Sequence, residues 1–150
     1  MVRRIAVLGA TGSIGASTLD VIQRHPDRYR PVVLAANRSV DEMERLCRLH
    51  VPDHAVMVDP EAANALAEKL KDLTSTEVSS GAAVLDQLVS ASFVDTVVAG
   101  IVGFAGLRAT LSAADAGKTI LLANKEALVS AGGLFTVSYT HLTLPTKRIV

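Results

Sequence analysis

The stretch LGATGSIGAS, residues 8–17, combines closely spaced glycines with hydroxyl side chains and is therefore a candidate phosphate-binding turn. Gly9, Gly12 and Gly15 are spaced GxxGxxG, and Thr11 and Ser13 add hydroxyl donors. Between a strand and a helix, such glycines permit a tight turn, let the backbone approach a pyrophosphate and let the helix pack close to the sheet. The helix N-terminus adds free N–H groups and a positive dipole end. A tight turn without a ligand would use the same glycines, but the position after the first predicted strand favours dinucleotide binding.

The residues after the second predicted strand indicate which dinucleotide would bind. A site for NAD usually has Asp or Glu at this point, where the carboxylate binds the ribose 2′-hydroxyl. This chain has Asn37, Arg38 and Ser39 there instead. A guanidinium binds phosphate through two parallel donors, which suits the 2′-phosphate of NADP. We therefore expect NADP(H), against the alternative that Arg38 is a solvated loop charge.

A second candidate site follows the last predicted strand. Asn124, Lys125 and Glu126 stand at the carboxyl end of that strand, where ligands of open α/β sheets bind. These residues also make an ordinary helix start, with Asn124 as N-cap and Glu126 in the first turn. Lys125 fits that interpretation less well, because a cation is unfavourable at the positive end of a helix dipole. From the residues alone, both interpretations stay open.

Apolar strands alternate with helices along the chain and would position these residues. The predicted strands are 5–8, 31–36, 55–58, 76–80, 96–100 and 119–123. The predicted helices are 13–24, a helix capped by Ser39 or Asp41 and ending at 48, 59–70, 82–91, 107–116 and 124–130. In the first helix, Ile14, Leu19, Val21 and Ile22 are expected near one face. Because several strands are apolar throughout, we predict a Rossmann-like α/β fold with a doubly wound, mostly parallel sheet and helices on both faces.

Composition excludes several functional classes. The 150 residues suit one domain, with 15 basic and 15 acidic side chains and 3% aromatics, so neither the charge nor the ring content favours nucleic acid. The longest apolar run, 96–107, is shorter than the ~20 residues of a membrane span. A single cysteine, Cys47, allows no internal disulfide and fits the cytoplasm. His25, His50 and His54 do not stand at metal-ligand spacing with carboxylates and are expected at surface or helix-end positions.

The segments GATGSIGASTLDVI, AGIVGFAGL and LLANKEALV, in this order and separation, resemble the 1-deoxy-D-xylulose 5-phosphate reductoisomerases. The resemblance covers residues 3–135, the NADPH-binding domain of that family. The glycine turn alone is shared with aspartate-semialdehyde dehydrogenases and other reductases. The ANKE stretch narrows the resemblance to one family.

The resemblance implies roles for individual residues. Thr11, Gly12, Ser13 and Ile14 would hold the pyrophosphate end of NADPH, and Asn124 and Glu126 would line its nicotinamide half. Residues 37–39 would hold the 2′-phosphate side, although the family more often has Gly-Lys-Asn there and only the basic character is kept. Lys125 would contact the phosphosugar substrate. Residues 99–103 would form the loop beside the cofactor.

The resemblance also implies the reaction. The family rearranges 1-deoxy-D-xylulose 5-phosphate and reduces the resulting aldehyde with NADPH to 2-C-methyl-D-erythritol 4-phosphate, for isoprenoid synthesis. The full-length enzymes are homodimers that use Mg²⁺ or Mn²⁺, held by carboxylates beyond the NADPH domain. This chain lacks those ligands, so we expect no turnover from it. Two alternatives are another NADP-dependent reductase, of the semialdehyde or acyl-phosphate type, and a non-catalytic dinucleotide-binding module.

The last residues differ in composition from the rest. All 22 alanines lie before position 132, and residues 137–150 contain no Ala, Gly or acidic residue. Val137 to Thr146 matches the translation of a transposase adapter used in sequencing libraries, GTC TCT TAT ACA CAT CTG ACG CTG CCG ACG. We therefore expect 1–135 to be the NADPH-binding domain and 136–150 to be a non-native tail from adapter read-through, with the catalytic and C-terminal domains absent.

Overall fold

The computed structural model describes residues 2–100, 104–122 and 142–143. Strands and helices alternate along the chain. The strands are β1 (Arg3–Leu8), β2 (Tyr29–Ala36), β3 (His54–Met57), β4 (Glu77–Ser80), β5 (Thr96–Ala99), β6 (Thr119–Leu122) and the two-residue β7 (Leu142–Thr143). The helices are α1 (Ser13–Arg24), α2 (Val40–His50), α3 (Pro60–Lys69), α4 (Ala82–Ser90) and α5 (Phe104–Asp115).

The strands form one sheet in the order β4-β3-β2-β1-β5-β6-β7, and each described pairing is parallel. From β1 the chain moves outward to β4, then returns to the other side of β1 and moves outward again. The direction therefore reverses between β1 and β5. This reversal leaves a crevice beyond the carboxyl ends of those two strands.

Two apolar layers enclose the sheet. On one face, side chains of α1, α2 and α3, such as Leu19, Met43 and Leu66, pack against Val7 and other buried strand residues. On the opposite face, α4 and α5 pack on the alternate strand residues, among them Leu8. Because successive strand side chains alternate between faces, β1 contributes to both cores. The predicted Rossmann-like, doubly wound α/β fold is confirmed.

The structure corrects several details. Helix α5 begins at Phe104, three residues before the predicted start. Leu19 and Ile22 are buried in α1 as expected, but Ile14 and Val21 are 41% and 49% exposed. His54 is not at the surface or a helix end, because it begins β3, half-buried, with its ring stacked on Phe93. The predicted helix 124–130 and most of the tail lie outside the described residues.

None of the helices in the described part of the chain combines the length and the apolar character that crossing a membrane requires.

Candidate dinucleotide-binding site

The glycine turn lies at the carboxyl end of β1, beside the crevice where the strand order reverses. Gly9 has a φ of 82°, a conformation that glycine adopts without the strain imposed by a side chain. The backbone N–H groups of Gly9 and Ala10 both donate to the carbonyl oxygen of Ala35, each at 2.9 Å. These bonds tie the turn after β1 to the end of β2. The two sequence motifs, residues 9–15 and 37–39, therefore share one edge of the sheet.

Gly15 allows helix α1 to approach the turn closely. A Cβ placed on Gly15 would lie 2.3 Å from the carbonyl oxygen of Gly9 and 2.5 Å from that of Ala10. Both atoms belong to the backbone and cannot rotate away. Gly100, after β5, is similarly confined, since its Cβ would lie 2.9 Å from the carbonyl oxygen of Leu8. The fold itself requires glycine at position 15 and favours it at position 100.

Gly12 differs from Gly15 because the protein leaves room for a side chain there. Its φ of −87° is open to any residue, and an added Cβ would make only an ordinary contact, 3.5 Å from the carbonyl oxygen of Gly9. Gly12 is the exposed N-cap of α1, where no side chain makes a capping hydrogen bond. The first helical N–H groups, at Ser13, Ile14 and Gly15, have no acceptor one turn earlier in the helix. This backbone can accommodate an anion at close range.

The side chains of the turn are arranged around this helix start. Thr11 is half-buried, whereas Ser13 and Ile14 are exposed. The first turn of α1 carries no acidic residue that would repel a phosphate. Ile14 lies close to the end of β5, because a Cβ on Gly100 would meet the Ile14 side chain at 3.5 Å.

Asn37, Arg38 and Ser39 are exposed just beyond β2. Within the described residues, the Arg38 side chain has no hydrogen bond, ion pair or ring contact, whereas every other arginine there has one. Ser39 is the N-cap residue of α2, but its hydroxyl makes no capping hydrogen bond. In the described part of the chain, Arg38 thus has no partner and Ser39 makes no capping hydrogen bond, just beyond the strand end to which the turn after β1 is bonded.

Backbone hydrogen bonds connect the loop after β3 to the end of β2 and to Asn37, a contact that the sequence did not predict. The N–H of Val58 donates to the carbonyl of Ala36 at 2.9 Å, and the N–H of Asp59 donates to that of Asn37 at 3.3 Å. The Asp59 carboxylate accepts the N–H of Ala62 and so caps α3. The Asp59-Pro60 pair correctly predicted the helix start. Nothing in the sequence pattern predicted its contact with Asn37.

The second predicted site belongs to the part of the chain that the structure does not describe. Asn124, Lys125 and Glu126 lie outside the described residues, as do positions 101–103 of the loop beside the cofactor. Within the described part of the chain, no three His, Cys, Asp or Glu side chains are grouped to hold a metal ion.

The one cysteine does not have the character of a reactive thiol. Cys47 lies in α2 with its side chain buried in the core, and burial raises the pKa of its thiol to about 12. A nucleophilic cysteine needs a thiolate near neutral pH. Cys47 is therefore a core residue.

Fold and turn together define a Rossmann-like dinucleotide-binding domain. A family model described as 1-deoxy-D-xylulose 5-phosphate reductoisomerase matches residues 5–132. The chain belongs to that family.

Known relatives agree with this assignment. The 1-deoxy-D-xylulose 5-phosphate reductoisomerase of Xanthomonas euvesicatoria pv. vesicatoria (strain 85-10) is 56% identical over 135 residues, covering 89% of this chain and 34% of the relative. The enzyme from Zymomonas mobilis in complex with NADPH has a TM-score of 0.87 at 44% identity, over 96% of this chain and 38% of that one. A reductoisomerase in complex with NADPH, fosmidomycin and magnesium also has a TM-score of 0.87 at 44% identity, over 95% of this chain and 36% of that one. The chain thus spans about a third of the length of the curated relatives it matches.

Proposed function

We propose that residues 1–135 are the NADPH-binding domain of an enzyme that converts 1-deoxy-D-xylulose 5-phosphate to 2-C-methyl-D-erythritol 4-phosphate. The observation that carries the cofactor assignment is Arg38, which has no partner among the described residues and follows β2, the strand whose end is bonded to the glycine turn. Family membership favours this function over a semialdehyde reductase or a non-catalytic module. The buried thiol of Cys47 does not have the properties of the nucleophilic cysteine that a semialdehyde reductase would use.

The pyrophosphate would bind at the first turn of α1. Backbone N–H groups of residues 13–15 donate to its oxygens, and the helix dipole favours its charge. Gly12 lets the phosphates approach the backbone closely. Thr11 and Ser13 have hydroxyl groups that can donate to the same oxygens.

The adenosine 2′-phosphate would bind at residues 37–39. The guanidinium of Arg38 supplies two parallel donors, and the free hydroxyl of Ser39 supplies a third. The Asp59 carboxylate accepts the N–H of Ala62 and caps α3, and we assign it no contact with the ribose hydroxyls.

The remaining roles concern residues 124–126 and the rest of the enzyme. Asn124 and Glu126 would line the nicotinamide half, where the bound cofactor supplies a hydride, and Lys125 would contact the phosphosugar. Mg²⁺ or Mn²⁺ belongs to the whole enzyme, and the described residues offer it no ligand set. We also propose a cytoplasmic location, a homodimer for the whole enzyme and a non-native origin for residues 136–150.

Calorimetric titration of the 150-residue chain with NADPH and NADH tests the cofactor assignment. We expect NADPH to bind more tightly. Arg38→Gln should weaken NADPH binding roughly 10- to 100-fold, because a charge-assisted hydrogen bond contributes about 1.5–3 kcal/mol. Binding of NADH, which lacks the 2′-phosphate, should change less than about twofold.

The matched control is Arg28→Gln, which removes an arginine at the amino end of the sheet and should leave both affinities unchanged. Tighter binding of NADH, or an equal loss for both cofactors in Arg38→Gln, would contradict the assignment. A chimera with residues 5–132 in the Xanthomonas relative tests the reaction. It should oxidise NADPH in the presence of the sugar phosphate and divalent metal, whereas the 150-residue chain should not.

A further inference from the structure

Helix α2 begins beside the proposed 2′-phosphate site with two acidic residues in its first turn. Asp41 and Glu42 follow the N-cap residue Ser39 closely, whereas the first turn of α1, where the pyrophosphate is proposed to bind, carries no acidic residue. Carboxylates stabilise the start of a helix through its dipole. A 2′-phosphate bound at Ser39 would lie within about one helical turn, roughly 5.4 Å along the axis, of both acidic residues and would be repelled by them.

Each of these carboxylates is paired with a cation. The guanidinium of Arg45, one helical turn further along α2, donates two hydrogen bonds to the same carboxylate oxygen of Glu42, one of them from Nε at 3.0 Å. The Nζ atom of Lys69, at the end of α3, lies 3.6 Å from a carboxylate oxygen of Asp41. The charges of these four side chains sum to zero. The charge of Arg38 is therefore the net charge of the five groups.

The pair of Glu42 and Arg45 is better placed to affect a bound anion than the pair of Asp41 and Lys69. The side chain of Glu42 is 43% exposed, whereas that of Asp41 is 92% exposed, so solvent screens the charge of Glu42 less. The hydrogen bonds from Arg45 also hold the pKa of Glu42 below its usual value, so the carboxylate is ionised at neutral pH. Without Arg45, one uncompensated negative charge would remain beside the phosphate.

We propose that Arg45 is a specificity-determining residue for NADPH that acts through Glu42. Its guanidinium neutralises that carboxylate, so the start of α2 accepts a 2′-phosphate next to Arg38. This inference rests on the proposed function, because it concerns the same cofactor site. An ion pair that served only the helix surface would have no effect on the choice of cofactor.

Calorimetric titration of the 150-residue chain with NADPH and NADH, at low ionic strength, tests the inference. Arg45→Gln should weaken NADPH binding about three- to tenfold, because the unpaired carboxylate repels the doubly charged phosphate. Binding of NADH, which lacks the 2′-phosphate, should change less than about twofold. In about 1 M salt, where the Debye length is roughly 3 Å, Arg45→Gln and the wild type should bind NADPH equally.

Two further variants separate charge compensation from direct contact. The double variant Glu42→Gln with Arg45→Gln removes both charges and should bind NADPH within about twofold of the wild type. Arg45→Lys keeps the cation and should do the same. The matched control is Arg24→Gln, which leaves Asp20 unpaired at the far end of α1. It changes the net charge equally and should alter neither affinity.

Three results for Arg45→Gln would overturn the inference: an unchanged affinity for NADPH, an equal loss for both cofactors, or a loss that does not depend on salt. A loss that persists in the double variant would make Arg45 a direct phosphate ligand and would overturn it as well. Tighter binding of NADH by the wild type would instead contradict the NADP assignment itself, so the two failures are distinguishable. Circular dichroism verifies that the variants fold, as expected for an exposed helical pair that contributes little to stability.

Discussion

Gly15 lies against Gly9 so closely that a Cβ on Gly15 would stand 2.3 Å from the Gly9 carbonyl oxygen. The first turn of α1 is thereby pressed onto the loop that leaves β1. The contact fixes where the helix begins relative to the end of the strand. It therefore also fixes where the free N–H groups of α1 point.

Replacing Gly15 with alanine should destabilise the fold. The added methyl group meets two backbone carbonyl groups, so α1 must move away from the turn. We expect the free energy of unfolding to fall by about 3 kcal/mol or more, at the upper end of typical overpacking. Urea denaturation followed by circular dichroism measures this change. A loss below about 1 kcal/mol would show that the helix can shift without cost.

Replacing Gly12 with alanine should have the opposite profile. The backbone conformation permits alanine and the protein leaves space for it, so unfolding should change by less than about 1 kcal/mol. The methyl group would occupy the surface where phosphate is proposed to approach, so NADPH affinity should fall at least about tenfold. Titration of the folded variant with NADPH checks this. Unchanged affinity would remove the ligand-based reason for glycine at this position.

The sequence predicted the location of the turn but not the different reasons for its glycines. The GxxGxxG spacing does not show that the three glycines have different roles. Only the folded structure shows that backbone atoms leave no room for a side chain at Gly15, whereas Gly12 has room for one. That Arg38 has no partner among the described residues was likewise not predictable, because it depends on where the acidic side chains lie in the fold. Residues 124–126 stay predictions, since they lie outside the described residues.

The ion pair between Arg4 and Asp95 should give stability a dependence on acid pH. Hydrogen bonds from the Arg4 side chain and backbone hold the pKa of Asp95 below its usual value. A lowered folded-state pKa means that the contribution is complete above the unfolded-state pKa of about 3.9 and is lost as pH falls through the folded value. Both side chains are about 40% exposed, so we expect only about 1 kcal/mol.

The variant Asp95→Asn isolates this contribution. The wild type should exceed the variant in unfolding free energy at neutral pH, and the difference should shrink below about pH 4. Urea denaturation of both proteins across pH 3–7 measures it, with Asp20→Asn as a control for a surface pair. A difference that grows toward acid would have the wrong sign for a lowered pKa.

Fold prediction succeeded where a strand was apolar throughout and failed where one face of an element had to be assigned to the surface or the core. The buried runs of β2 and β5 follow directly from their composition. The periodicity of α1 wrongly placed Ile14 and Val21 with its buried face. Ile14 instead extends toward Gly100 at the crevice, a tertiary relationship that helical periodicity does not contain. The half-burial of Leu121 in β6 was also not predicted, because an apolar residue type does not show whether another layer covers that face of the strand.

Asp59 should stabilise the domain without contacting the cofactor. Its carboxylate caps α3 through the N–H of Ala62, and its backbone N–H binds the Asn37 carbonyl. Asp59→Ala should cost about 1 kcal/mol of unfolding free energy, because it removes the cap, whereas Asp59→Asn keeps an acceptor and should cost only a few tenths, on the order of the difference among good caps. Neither change touches the backbone bond to Asn37, so NADPH and NADH affinities should stay within about twofold of the wild type. A selective loss of NADH binding in Asp59→Ala would mean that the carboxylate binds ribose hydroxyls, and the domain would then have the acidic feature of an NAD site.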